Sequence, residues 1–125
     1  MSFTHLATIQ ILRAYDEDKT REFYLDWLGF TVDFEHRFEP GMPLYMGISR
    51  NGVVLHISEH HGDGVPGIRV RINITGVREL HAELIAKRYK YNRPGLEHPD
   101  WGFTELTVID PCNNRITFAE PDTAA

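Results

Sequence analysis

His56, Glu59, His60 and His61 crowd into one short stretch, and histidine with carboxylate is the combination that holds a divalent ion or moves a proton near neutral pH. Their spacing argues against a single ion. Along a strand His56 and His60 share a face but stand roughly 13 Å apart, so one ion reaches both only if the strand ends before His60. Hydrogen-bonding histidines of a loop or cleft are the simpler account. A second constellation joins Arg69 and Arg71 to Glu105, with Trp101 and Phe103 close by in sequence. A desolvated Glu105 beside His56 would be a tunable base, yet an ion pair with Arg69 or Arg71 across a sheet explains the same carboxylate better. Trp101 follows Pro99-Asp100 in an expected loop, where a large aromatic either covers a core edge or reaches into a cleft.

Other candidates carry less. Gly62-Asp63-Gly64 with Pro66-Gly67 lacks the strand-to-helix setting and the lysine of a phosphate loop, so a flexible linker suffices. Cys112 has no basic neighbour other than Arg115 to activate it, and as the single cysteine it excludes an internal disulfide and a cysteine-built zinc site.

The elements that must position these residues belong to one domain spanning residues 1–125, with 42% hydrophobic and 25% charged residues, too short for two ordinary domains. Eighteen acidic against 13 basic residues give a net charge of −5. With no Lys/Arg run present, a nucleic-acid partner is not expected. Apolar runs are only a few residues long, and residues 1–5 lack a charged start followed by an apolar stretch. Neither a membrane partner nor a secretion signal is expected, and the cytoplasm is the expected location.

Thr8–Arg13 reads as a buried strand. Asp16 then caps a helix over about 17–28, whose Thr20, Phe23, Tyr24, Trp27 and Leu28 form one stripe and whose end is marked by Gly29. Strands are expected over 31–38, 44–49 and 53–59, with Asn51-Gly52 as a hairpin turn. The order then starts again: a strand over 68–74, a helix capped by Thr75 with Val77, Leu80, Leu84 and Ile85 on its stripe, and strands over 89–92, 103–109 and 115–120. Faint identities follow the repeat. Arg21-Glu22-Phe23 lies on Arg78-Glu79-Leu80, which brings Trp27-Leu28 onto Leu84-Ile85, and Glu59 lies on Glu120, which brings His56 onto Thr117. Module boundaries near 6–61 and 67–121 are expected.

Alternation assigns the faces of these strands. Val53, Leu55, Ile57, Ile68, Val70, Ile72, Ile74, Leu106, Val108, Ile116 and Phe118 turn toward the helices. The opposite faces carry His56 and Ser58, Arg69 and Arg71, Phe103, Glu105 and Thr107, and Thr117. Such a polar but unevenly charged face suits a cleft or a subunit contact.

Ile11-Leu12-Arg13, Arg21-Glu22-Phe23-Tyr24, Leu28-Gly29-Phe30 and the closing Trp101-Gly102-Phe103 to Asp110-Pro111, with Asn114-Arg115-Ile116-Thr117-Phe118, resemble the glyoxalase/bleomycin-resistance/extradiol-dioxygenase family, the vicinal oxygen chelate proteins. The resemblance runs from about Thr8 to Pro121. It implies an α+β fold of two βαβββ modules whose sheets curl around a cleft, commonly in a homodimer with cleft walls from both subunits. Metal-dependent members place His or Glu at four inward positions, which fall here on Ile9, His56, Arg69 and Thr117. Only His56 is a competent ligand, so no metal or other cofactor is expected. The chain is closest to the metal-free bleomycin-resistance proteins, which sequester a bulky aromatic, cationic antibiotic. That likeness implies a binding protein rather than an enzyme, with catalytic turnover left open, and ligand-binding residues Phe38, His56, Arg69, Trp101, Phe103, Glu105 and Thr117. Phe38 and Trp101 would stand at the rim, with Tyr45 as a further stacking surface. The alternative is a lyase or dioxygenase with a shifted metal site near His56 and His60.

Overall fold

Asn51 and Gly52 both take positive φ, 48° and 88°, the geometry a tight hairpin needs, and they fold Val53–Ser58 back antiparallel on Tyr45–Arg50. This hairpin is the centre of the first of two sheets in the computed structural model, which describes residues 2–122. The chain runs β1 (Gln10–Arg13), α1 (Glu17–Arg21), β2 (Thr31–His36), β3 (Tyr45–Arg50) and β4 (Val53–Ser58). It continues with β5 (Arg69–Asn73), α2 (Val77–Ala86), β6 (Leu96–Glu97), β7 (Phe103–Ile109) and β8 (Arg115–Pro121). The sheets have the orders β1-β4-β3-β2 and β5-β8-β7-β6. In each, the strand before the helix pairs parallel with the last strand, and the other pairs are antiparallel. This is the expected α+β fold, a βαβββ pattern stated twice.

Asp16 caps α1 as the sequence predicts, its Oδ1 accepting from the Lys19 amide at 3.0 Å. Past Arg21 the helix widens into a π-helical stretch over Glu22–Trp27, where the Leu28 amide reaches back to the Phe23 carbonyl. Gly29, at φ 76°, ends the segment.

Two expectations are corrected. Thr75 does not cap α2. Gly76 occupies the N-cap at φ 84°, and Glu120 Oε1, arriving from β8, accepts the Gly76 and Val77 amides at 3.1 and 3.0 Å. A carboxylate at the positive end of a helix satisfies two donors and outcompetes a hydroxyl. Nor do residues 89–92 form a strand. Tyr89 packs its ring on Trp27 and Phe23, and Asn92 uses its side chain where a strand would use its backbone, donating to Ile109 O and accepting from Ile109 N. The short fourth strand of that sheet is β6, placed beyond Pro94.

The helix-facing residues of both sheets and both helices join one hydrophobic cluster. Trp27 Nε1 donates to the Leu84 carbonyl at 3.1 Å and Lys87 Nζ to the Trp27 carbonyl at 2.6 Å. Arg50 pairs with Glu83, and Asn114 Nδ2 donates to Arg13 O. No helix among the described residues is long and apolar enough to cross a membrane.

Candidate functional site

Away from this core, each sheet presents a face with its own chemistry. On the first, the strand register sets Phe34 of β2 opposite Gly47 of β3, and Gly47 opposite His56 of β4. With no side chain on Gly47, the Phe34 ring lies across β3 and meets His56 edge-on at 5.2 Å. Tyr45 stacks near Phe34 at 6.2 Å and its hydroxyl lies 2.7 Å from His56 Nδ1. Burial and the Asp63 carboxylate push the Tyr45 phenol above its usual pKa, so the hydroxyl shared with His56 keeps its proton at neutral pH. β4 stops at Ser58, and His60 comes to the other side of Tyr45, ring centres 6.5 Å apart. Phe38, 74% exposed, stands at the edge of this face against His36.

The second sheet carries the charged group. Arg71 Nη1 lies 2.7 Å from Glu105 Oε2, reaching over β8, which separates their strands. The small, buried Ala119 lies beside both, opposite Glu105 in one register and next to Arg71's partner Thr117 in the other. Trp101 Nε1 donates to the same Glu105 oxygen at 3.0 Å, and the Arg71 guanidinium sits over the Phe103 ring at 4.8 Å. Burial works to raise the Glu105 pKa, but the Trp101 N–H and the Arg71 guanidinium, with Arg69 adding to the field, outweigh it and hold the carboxyl below its ordinary value. A catalytic base needs the opposite shift. Trp101 itself is 65% exposed, so it covers no core edge and is open to a ligand.

The seven expected site residues therefore fall into two groups. His56 lies on the first sheet and Phe38 beside it; Arg69, Trp101, Phe103, Glu105 and Thr117 lie on or beside the second. Thr117 is 1% exposed and shares a 2.8 Å hydroxyl bond with Thr107, which places it beneath the face. An open groove of about 570 Å³ connects the sheets, lined by Thr8, Gln10, Val54, Arg69, Arg71 and Asn73 among others. Phe34 is the residue the sequence reading missed. Its signal was Gly47, a glycine inside a strand, which often marks the close approach of another group.

The four positions that hold a divalent ion in metal-dependent relatives do not fit one here. Ile9 has no donor, Arg69 brings a positive charge and the Thr117 hydroxyl is engaged by Thr107. Among the described residues no three His, Cys, Asp or Glu side chains gather in a way that could hold an ion.

Paired βαβββ units with polar outer faces define a class of fold that serves both binding proteins and enzymes. The chain matches the family described as Glyoxalase superfamily protein over residues 2–124, and it belongs to that superfamily. No curated protein matches it significantly. Among solved structures it is similar to the bleomycin-binding protein of the bleomycin producer Streptomyces verticillus, determined with copper(II)-bleomycin. The two share 26% identity over 94% of this chain and 97% of that one, with a TM-score of 0.69. A bleomycin resistance determinant encoded on the transposon Tn5 is similar at 20% identity, covering 95% and 100% of the chains, with a TM-score of 0.73. A glyoxalase-related enzyme from Clostridium phytofermentans is similar at 16% identity, covering 95% and 97%, also with a TM-score of 0.73.

Proposed function

We propose that the chain is a metal-independent binding protein that sequesters a bulky aromatic small molecule, such as an antibiotic, in a cleft completed by two copies. The observation that carries this reading is the pair of ring-bearing outer faces, Phe34, Tyr45 and His56 on one sheet and Trp101 with Phe103 on the other. Flat rings stack between such surfaces. The likeness to a protein determined with bound bleomycin supports the ligand class.

Homodimerisation is part of the proposal. Phe3 and Leu6 of the segment before β1 are each 93% exposed, and a second copy would cover them. The cationic character expected of the ligand has weaker support than its aromatic character, because Glu105 is already engaged by Arg71 and Trp101.

Trp101 provides the readout, since Trp27 is only 2% exposed and its emission should stay constant. Purified full-length protein, with and without excess EDTA, is titrated with bleomycin and with planar polycyclic antibiotics. A saturable change in fluorescence, with half-saturation in the micromolar range for at least one compound and lost in Trp101→Phe, is expected. Silence across the set rejects the reading, and binding abolished by EDTA favours the metal-dependent alternative.

A further inference from the structure

We propose that the second sheet selects a ligand bearing an anionic group on its aromatic ring system, with Arg69 and the outer edge of Arg71 receiving the anion. The inference rests on the aromatic-ligand reading above and specifies its charge.

The local charge count leads there. The outer face of β5 carries two guanidiniums, and Glu105 is the carboxylate that pairs with Arg71 and lies within the field of Arg69. Arg71 uses Nη1 on Glu105, but a guanidinium has five N–H donors in a fixed fork, and the Arg71 side chain remains 41% exposed. Arg69 is exposed and has no ion-pair partner among the described residues. The two arginines occupy alternate positions of one strand, so their Cα atoms stand roughly 7 Å apart. Two long side chains at that spacing are able to reach one carboxylate, sulfonate or phosphate together.

The surroundings point the same way. The groove along β5 is lined by Thr8, Gln10 and Asn73 beside the two arginines, and no aspartate or glutamate lines it. β5 is the edge strand of its sheet, and the groove runs between it and Gln10, Val54 and Leu55 of the first sheet. The rings adjoin the cations directly. Phe103 lies under the Arg71 guanidinium at 4.8 Å, and Trp101 donates to the Glu105 oxygen that Arg71 also holds. A flat ligand stacked on the exposed Trp101, which shares Glu105 with Arg71, would bring a ring substituent to the arginines. Glu105 orients Arg71 and, already holding two donors, has little capacity for a cation.

Three probes with one ring system separate charge from stacking: anthracene-9-carboxylate, anthracene-9-carboxamide and 9-(aminomethyl)anthracene. Each is titrated calorimetrically into the full-length protein at low salt. The carboxylate is expected to bind about tenfold or more tightly than the amide, the scale of a charge-assisted bond, and the amine weakest. Arg69→Gln, checked for an unchanged melting temperature, should narrow the carboxylate-to-amide ratio to below about threefold, and added salt should narrow it in the wild type. Equal affinity for all three overturns the charge selection and leaves the aromatic-binding reading in place. Tightest binding of the amine also overturns it and restores Glu105 as the recognition group. Failure of all three to bind removes both.

Discussion

Tyr24 has one polar atom in a fully buried setting, and that atom donates 2.6 Å to Asp110 Oδ2. Asp110 also accepts from the Cys112 and Asn114 amides and from Asn114 Nδ2, so this one carboxylate fixes the β7–β8 turn and ties it to the first helical segment. Tyr24→Phe should lower the unfolding free energy by about 1.5 kcal/mol, the lower end for a bond to a charged group, because Asp110 keeps its other donors. Urea denaturation measures the loss. Burial, and then the Asp110 charge, raise the Tyr24 phenol well above its ordinary value. The native state therefore keeps a proton that the unfolded chain gives up above about pH 10. The stabilisation is complete below that pH and declines as pH rises beyond it. The alkaline fall in stability should be shallower in Tyr24→Phe, though not abolished, since Tyr89 is also raised, to about 12. The stripe spacing made Tyr24 legible as a core residue. The partner of its hydroxyl was not legible, because Asp110 lies far along the chain and only the folded topology brings them together.

Among the elements, β3 carries the most sensitive position. A Cβ on Gly47 would collide with the Phe34 ring, which is 44% exposed and has room to swing outward. Gly47→Ala should therefore leave the fold intact, at a cost of about 1–2 kcal/mol, while pulling Phe34 off His56. The expected outcome is a modestly lower melting temperature together with a weakening of aromatic ligands of roughly tenfold. An unchanged affinity would show that the first sheet's rings do not hold the ligand. Strand alternation read the helix-facing residues of β4, β7 and β8 correctly, and hairpin chemistry placed Asn51-Gly52. It failed at residues 89–92, where the apolar character of Tyr89 serves packing on Trp27, and at Thr75, where a long-range carboxylate displaced the local cap. Both failures come from partners distant in sequence. The same limit split the candidate site: alternation showed which residues leave the core, but not that His56, with Phe38 beside it, belongs to one sheet and Glu105 to the other.

For the whole molecule, the segment before β1 sets the expected assembly. Burying Phe3 and Leu6 is worth about 2 kcal/mol each, an incentive for a second copy to cover them. Sedimentation of the full chain at micromolar concentration should give twice the 14.4 kDa protomer mass. A chain lacking residues 2–7 should sediment as a monomer, and a full chain that is itself monomeric at such concentrations would reject the two-copy cleft. The repeat detected in the sequence takes physical form in the centre of the protomer. Trp27 and Leu84, matched by the repeat, are the very residues whose side chain and carbonyl bond to one another. That bond lies inside an interior to which both modules contribute. Loss of one half would deprive the other of its lining, so the chain should melt in a single cooperative transition.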